Sequence, residues 1–162
     1  MDGRAVILRG APGLHSASPE TLLALGERFT VRWIRDRWLC HEGDPSKEMY
    51  LLAEGHLGVY RQQKRVTLLG PGVFVGHVGA LSGAPRSAGL RASGSVVLLV
   101  MDAGQVRAIV RSEAGAAASA LRRALIVAYG RQIQEATQAL VRLASDQPAD
   151  IADALLAAAP RP

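Results

Sequence analysis

Between residues 30 and 102 the chain is a run of short apolar segments cut by glycine at intervals of about eight to twelve residues, and this punctuation restricts the fold more than any other feature. Thr30-Val31-Arg32-Trp33-Ile34-Arg35 alternates, as a strand with one wet face does. Met49-Tyr50-Leu51-Leu52-Ala53 is apolar throughout, which predicts a strand covered on both faces. Leu57-Gly58-Val59-Tyr60-Arg61 and Arg65-Val66-Thr67-Leu68-Leu69 flank Gln62-Gln63-Lys64, a polar hairpin turn, and Val96-Val97-Leu98-Leu99-Val100 closes the series. Short strands joined by glycine-rich turns predict a mainly β sandwich or jelly-roll barrel, not a parallel α/β sheet.

Helical texture flanks this block. Residues 1–17 hold Gly3, Gly10, Pro12 and Gly13 with no sustained period, so they are expected to form an N-terminal arm with a short strand at Ala5–Leu8. Ser18-Pro19-Glu20 offers an N-cap serine and a proline at the first helical position ahead of Leu22, Leu23 and Leu25, with Gly26 as the stop. After Asp102 a short helix is predicted at Gly104–Val110. A long one, capped by Ser112-Glu113, is predicted to reach about Ser145. Its apolar residues Leu121, Leu125, Ala128, Ile133, Ala136, Leu140 and Leu143 recur at helical spacings. Gln147-Pro148 breaks it before a last small helix at Ile151–Ala159. The organisation read from this is an arm at 1–17, a β-roll with flanking helices at 18–111, a long helix at 112–145, and a stub helix with tail at 146–162.

Composition removes several classes. The basic side chains exceed the acidic ones, 19 − 14 = +5, yet a nucleic-acid binder needs its cations clustered on one surface. Aromatics at 4% are too few for base-stacking platforms. The longest apolar run, Val96 to Met101, is far short of the roughly 20 residues that span a bilayer. The opening Met1-Asp2-Gly3-Arg4 lacks a signal peptide's layout, so a cytoplasmic protein without membrane contact is expected. Cys40 is the only cysteine, which excludes an internal disulfide and a cysteine-rich zinc site.

The densest glycine segment, Leu69 to Gly83, reads LGPGVFVGHVGALSG. Gly70-x-Gly72 and Gly76-x-x-Gly79 do not have GxGxxG spacing, and no GxxxxGK[ST] occurs, so Rossmann and P-loop readings are rejected. What remains is a turn and a brief apolar stretch, followed by Ala84-Pro85-Arg86-Ser87-Ala88. Glycines allow close backbone approach to a ligand, and amides opening a helical turn attract anions. An arginine and a serine nearby add a forked cation and a hydroxyl suited to a phosphate diester; the alternative is a surface loop with an incidental arginine. Cys40-His41-Glu42 holds three metal-competent side chains, but adjacent strand residues point to opposite faces and do not converge. No Ser-His-Asp or paired-carboxylate arrangement is found, so a non-enzymatic role is expected.

The cassette is similar to the phosphate-binding cassette of cyclic nucleotide-binding domains in the catabolite activator protein family of bacterial regulators. The matching residues are Phe74-Val75-Gly76-His77-Val78-Gly79-Ala80-Leu81, then Pro85-Arg86-Ser87-Ala88, then the strand Val96–Val100. Upstream, Glu42-Gly43-Asp44 with Met49-Tyr50-Leu51-Leu52 and Glu54-Gly55-His56-Leu57-Gly58-Val59 resembles the family's Glu-Gly-Asp turn and Gly-x-x-x-Val strand pair, and the likeness spans about residues 18 to 159.

The resemblance implies a double-stranded β-helix jelly roll, flanked by helices, holding a cyclic nucleotide as effector. It implies that Arg86 neutralises the cyclic phosphate, while Ser87 and the cassette amides at Gly76, His77 and Val78 hydrogen-bond it. The long helix resembles the family's dimerisation helix, which places Thr137 near the purine and implies a homodimer. His77 stands where the family has the glutamate that accepts the ribose 2′-hydroxyl. Loss of a hydrogen bond to a charged group costs about 1.5–3 kcal/mol, so binding is expected to be weaker, altered or absent. Phe74-Val75-Gly76-His77 also resembles the Phe-x-x-His of the family's haem-containing branch, which makes His77 an alternative haem ligand, although that branch's cysteine is Val75 here. A third reading is a ligand-free dimerisation or protein-interaction module. Asp146–Ala159 resembles the start of the family's winged helix-turn-helix, and the chain ends at Pro162 before a recognition helix, so no direct DNA binding by this chain is expected.

Overall fold

A computed structural model describes residues 2–111 and 113–146. The expected cap at Ser112, the break at Gln147-Pro148 and the final helix at Ile151–Ala159 lie outside the described residues. Strands β1 (Thr30–Arg35), β2 (Trp38–Cys40), β3 (Glu48–Arg61), β4 (Lys64–Leu69), β5 (Phe74–Val75) and β6 (Gly89–Asp102) make one sheet. Its main path runs β1-β6-β3-β4, with β2 also on β6 and β5 on β3. Every pairing is antiparallel.

β3 and β6 form the spine, paired from Glu48↔Asp102 to Tyr60↔Gly89. Successive strand side chains point to opposite faces. Met49, Leu51, Leu99 and Met101 therefore enter a core shared with the helices, whereas Tyr50, Leu52, Leu98 and Val100 enter a second core inside the roll. Two covered faces account for the unbroken apolar runs at both places, as the sequence predicts.

The apolar segments at 49–53 and 57–61 belong to one 14-residue strand, β3, rather than two. Gly55 bends the strand instead of ending it. The register with β6 shifts on both sides of Glu54, Gly55 has φ +83°, and a Cβ there would collide with the Ser95 carbonyl oxygen. This is a bulge whose extra curvature turns the sheet toward a roll. Gln62 and Gln63 both have positive φ (48° and 64°), the backbone of a two-residue hairpin with the twist of its strands.

The expected strand at Ala5–Leu8 is instead part of α1 (Gly3–Arg9). Asp2 caps it by accepting the Arg4 amide at 3.2 Å. Ala5, Leu8, Ala11 and Leu14 are all fully buried. Their spacing of three, the missed signal, sends one side of the segment into the helical core. The helix after Ser18 forms as expected: α2 (Pro19–Gly26) has the Ser18 hydroxyl accepting the Thr21 amide at 3.2 Å. α3 (His77–Ser82), α4 (Ala103–Arg111) and α5 (Ala116–Asp146) complete the described elements.

The chain divides into two compact units, meeting at Ala128 and Tyr129. In the first, Ala118, Ala120, Leu121, Ala124 and Leu125 of α5 join the helical core. In the second, Ile133, Leu140, Val141 and Leu143 are exposed. Among the described residues, no helix is long and apolar enough to cross a membrane.

Gly55→Ala is expected to lower the unfolding free energy by about 1–2 kcal/mol or more, because a side chain is strained at this φ and meets backbone across the bulge. Urea denaturation monitored by circular dichroism measures it; an unchanged midpoint would show that the bulge does not require glycine.

Candidate functional site

The site is assembled from two loops tied by backbone bonds. In the Glu42-Gly43-Asp44 turn the Asp44 carboxylate accepts the His41 amide at 2.7 Å, a local bond typical of aspartate in turns. The turn then grips the segment that carries the cassette arginine: the Gly43 amide donates to the Arg86 carbonyl, and the Arg86 amide to the Asp44 carbonyl, both at 2.8 Å. The Ser46 hydroxyl donates to the Ala84 carbonyl at 2.7 Å. Glu42 accepts the Gln62 amide at 2.9 Å, which ties in the hairpin. The Glu-Gly-Asp residues thus build the frame.

Arg86 is only 6% exposed. Its Nη1 donates to the Gly76 carbonyl at 3.1 Å and its Nη2 to the Glu48 carbonyl at 2.6 Å. Its guanidinium carbon lies 5.4 Å from the Tyr50 ring centroid, a cation–π distance. Among the described residues, Nε has no hydrogen-bond partner and no carboxylate forms an ion pair with this arginine. Its direct contacts are neutral and the Glu48 carboxylate acts on it only at longer range; a buried cation so placed favours an incoming anion. Gly76 makes the arrangement possible: its φ is +75°, and a Cβ there would strike Arg86 Nη1.

A cavity of about 330 Å³ opens beside the arginine, within the size range of small-molecule sites. Leu39, Cys40, Asp44, Pro45, Lys47, Glu48, Tyr50 and Arg86 line it. Arg32 grips the Glu48 carboxylate at 2.6 and 2.7 Å, and the Tyr50 hydroxyl donates to the same carboxylate at 2.9 Å. Arg32 is the main cause of a Glu48 pKa below the usual carboxylate range. Burial, reinforced by the bond to Glu48, pushes Tyr50 up to about 12, so it stays a donor. Burial also raises the Cys40 thiol.

Of the residues expected at the site, Arg86 lines the cavity and Gly76 binds it directly. His77 is buried, 5% exposed, at the start of α3 and off the cavity wall. Burial holds its pKa down at about 4, against a smaller upward pull from the Phe74 backbone, so the imidazole is neutral at pH 7. Val78 is half-buried and Ser87 exposed; neither is on the cavity wall. Thr137 belongs to the second unit, where its hydroxyl donates to the Ile133 carbonyl at 2.9 Å. Cys40, His41 and Glu42 do not converge: no group of three metal-competent side chains occurs among the described residues. Glu48, Tyr50, Arg32 and Lys47 are absent from the expected set. A tyrosine inside a doubly covered apolar strand, with a glutamate two residues before it, was the available signal.

The cyclic nucleotide-binding domain model matches residues 31–113, and the chain belongs to the cyclic nucleotide-binding domain family. It is 28% identical over 110 residues to the Cyclic AMP receptor protein of Thermus thermophilus, covering 64% of this chain and 51% of that protein. The chain therefore spans about half the length of this curated relative. Its structure is similar to the crystal structure of the Thermus thermophilus Catabolite Activator Protein, with a TM-score of 0.71 and 25% identity over 83% of this chain and 63% of that one. A cyclic nucleotide-binding domain from Methylobacillus flagellatus gives a TM-score of 0.73 at 19% identity, covering 86% and 81% of the two chains. The expected jelly roll with flanking helices and a long C-terminal helix is the fold observed.

A histidine whose folded pKa lies below its unfolded value of about 6.5 binds fewer protons in the folded state. Its contribution is complete above pH 6.5 and is lost as pH falls toward 4. Stability is expected to drop across that window by an amount on the order of 3 kcal/mol from His77. His77→Gln is expected to flatten this part of the profile, measured by chemical denaturation at several pH values. An equal slope in the variant would rule His77 out as the source.

Proposed function

We propose that the chain is a non-enzymatic, cytoplasmic effector-sensing domain that binds a cyclic nucleotide or a related phosphate ligand through Arg86. The observation that carries this reading is the Arg86 guanidinium, buried on the wall of a small-molecule-sized cavity with no carboxylate in an ion pair with it among the described residues. The family supports it, as does the name of the Thermus relative, a receptor for cyclic AMP. In this reading Ser87 and the amides at Gly76, His77 and Val78 complete the phosphate seat. His77, neutral and off the cavity wall, does not supply the carboxylate that a glutamate at this position would bring, so affinity is lower than a glutamate would give.

The ligand signal passes through α5. A ligand shifts such an equilibrium only by binding one helix arrangement more tightly than the other. The exposed Ile133, Leu140, Val141 and Leu143 support a homodimer in which a second copy covers them; scattered single apolar side chains need no cover, but four on one helix form a stripe.

Calorimetric titration with cyclic AMP and cyclic GMP is expected to give saturable binding, weakened at least about 10-fold in Arg86→Ala and less in Arg86→Lys, which retains the charge. A flat wild-type thermogram with every cyclic nucleotide would overturn the reading. Sedimentation velocity at high micromolar concentration is expected to show a dimer, and a monomer there would remove the role given to α5.

A further inference from the structure

Glu48 touches Arg86 by two routes. Its carbonyl accepts Nη2 directly at 2.6 Å. Its carboxylate accepts the Tyr50 hydroxyl at 2.9 Å, and the ring of Tyr50 lies under the guanidinium. Glu48 and Tyr50 are two residues apart on β3 and so share a face. Arg32 sits on β1, on the far side of β6, opposite Leu98, which itself lies opposite Leu52 of β3. Its side chain spans the intervening strand to hold both Glu48 oxygens, at 2.7 and 2.6 Å. A two-point guanidinium–carboxylate contact fixes orientation as well as distance.

We infer that Glu48 is a positioning residue for Arg86, anchored from β1 by Arg32 and acting through the Tyr50 ring and its own carbonyl. Arg32 acts at one remove, through Glu48, whose carbonyl and whose bond to Tyr50 determine where the cassette cation points. Without this acceptor the hydroxyl no longer fixes the tilt of the packed ring, and the stacking geometry on Arg86 loosens with it. Preorganising a long, flexible arginine removes an ordering cost that an anion would otherwise meet on binding. The affinity part of this inference rests on the cyclic nucleotide reading; the positioning part does not.

The experiment follows the Arg86 side-chain Nε–H signal by nitrogen-15 NMR in the ligand-free protein, alongside cyclic AMP affinity. Wild type is expected to show a ring-current-shifted signal that exchanges slowly with water. In Glu48→Gln and Arg32→Ala the signal is expected to move toward the position of free arginine and to exchange faster. Tyr50→Phe, an isosteric change that preserves packing, is expected to move it less but in the same direction. Arg28→Ala breaks an exposed pair with Glu113 and is expected to leave it in place. Cyclic AMP affinity is expected to fall roughly 3- to 10-fold in each of the three variants, and Arg32→Ala combined with Tyr50→Phe to lose less than the product of the two. An Arg86 signal unmoved in both Glu48→Gln and Tyr50→Phe would overturn the inference. Failure of the cyclic nucleotide reading appears differently, as a flat wild-type titration, with the NMR comparison still deciding whether Glu48 positions Arg86.

Discussion

The antiparallel pairing of β3 with β6 carries the rest of the molecule, because the facing stretches 49–52 and 96–101 of these 14-residue strands are buried on both faces. One row of their side chains, with Met49, Leu51, Leu99 and Met101, supports the helices α1, α2, α4 and the first part of α5. The other row, with Tyr50, Leu52, Leu98 and Val100, fills the roll. A single-residue slip in this register would exchange the two rows and bring Tyr50 out of the roll. The bulge at Gly55 lets the same strand pair hold its register at one end and curve at the other.

Function grows from a fault line in that frame. Arg86 is a charged side chain in a place that suits apolar ones, and it is retained by two carbonyls and a ring rather than by a counter-charge. Nearby Glu48 forms its two-point ion pair with Arg32 and attracts Arg86 only at longer range. In the function proposed, that positive charge is the one an anionic ligand meets. The frame around it is built of short-range devices: the Glu-Gly-Asp turn, the Gly76 left-handed residue and the hydroxyl of Ser46. Each needs a small or turn-forming residue where it stands, which is why the motif looks so regular along the chain.

Much of the architecture is legible without coordinates. The alternation in β1, the doubly apolar centres of β3 and β6, the Ser18-Pro19 helix start and the long helical stretch all follow from local periodicity and capping. Two features were not. Ala5, Leu8, Ala11 and Leu14 become helix and turn because one side of the segment packs on the helical core, which a glycine-rich stretch with no long period conceals. The segments at 49–53 and 57–61 become one strand because Gly55 bends through a bulge, and a glycine alone does not reveal whether it ends a strand or curves it.

By itself the sequence determined the class of fold and the resemblance of the cassette that singles out Arg86, since these rest on residue types at short spacing. Only the tertiary structure decided that Glu48 and Tyr50 contact that cation while Arg32 holds Glu48, and that neutral, buried His77 stands off the cavity wall. The physical reason is distance along the chain. Arg32, Glu48 and Arg86 meet only because β1 and β3 lie on either side of β6 and because the Asp44 turn clasps the cassette segment. No local pattern encodes such a meeting; it is a consequence of strand order.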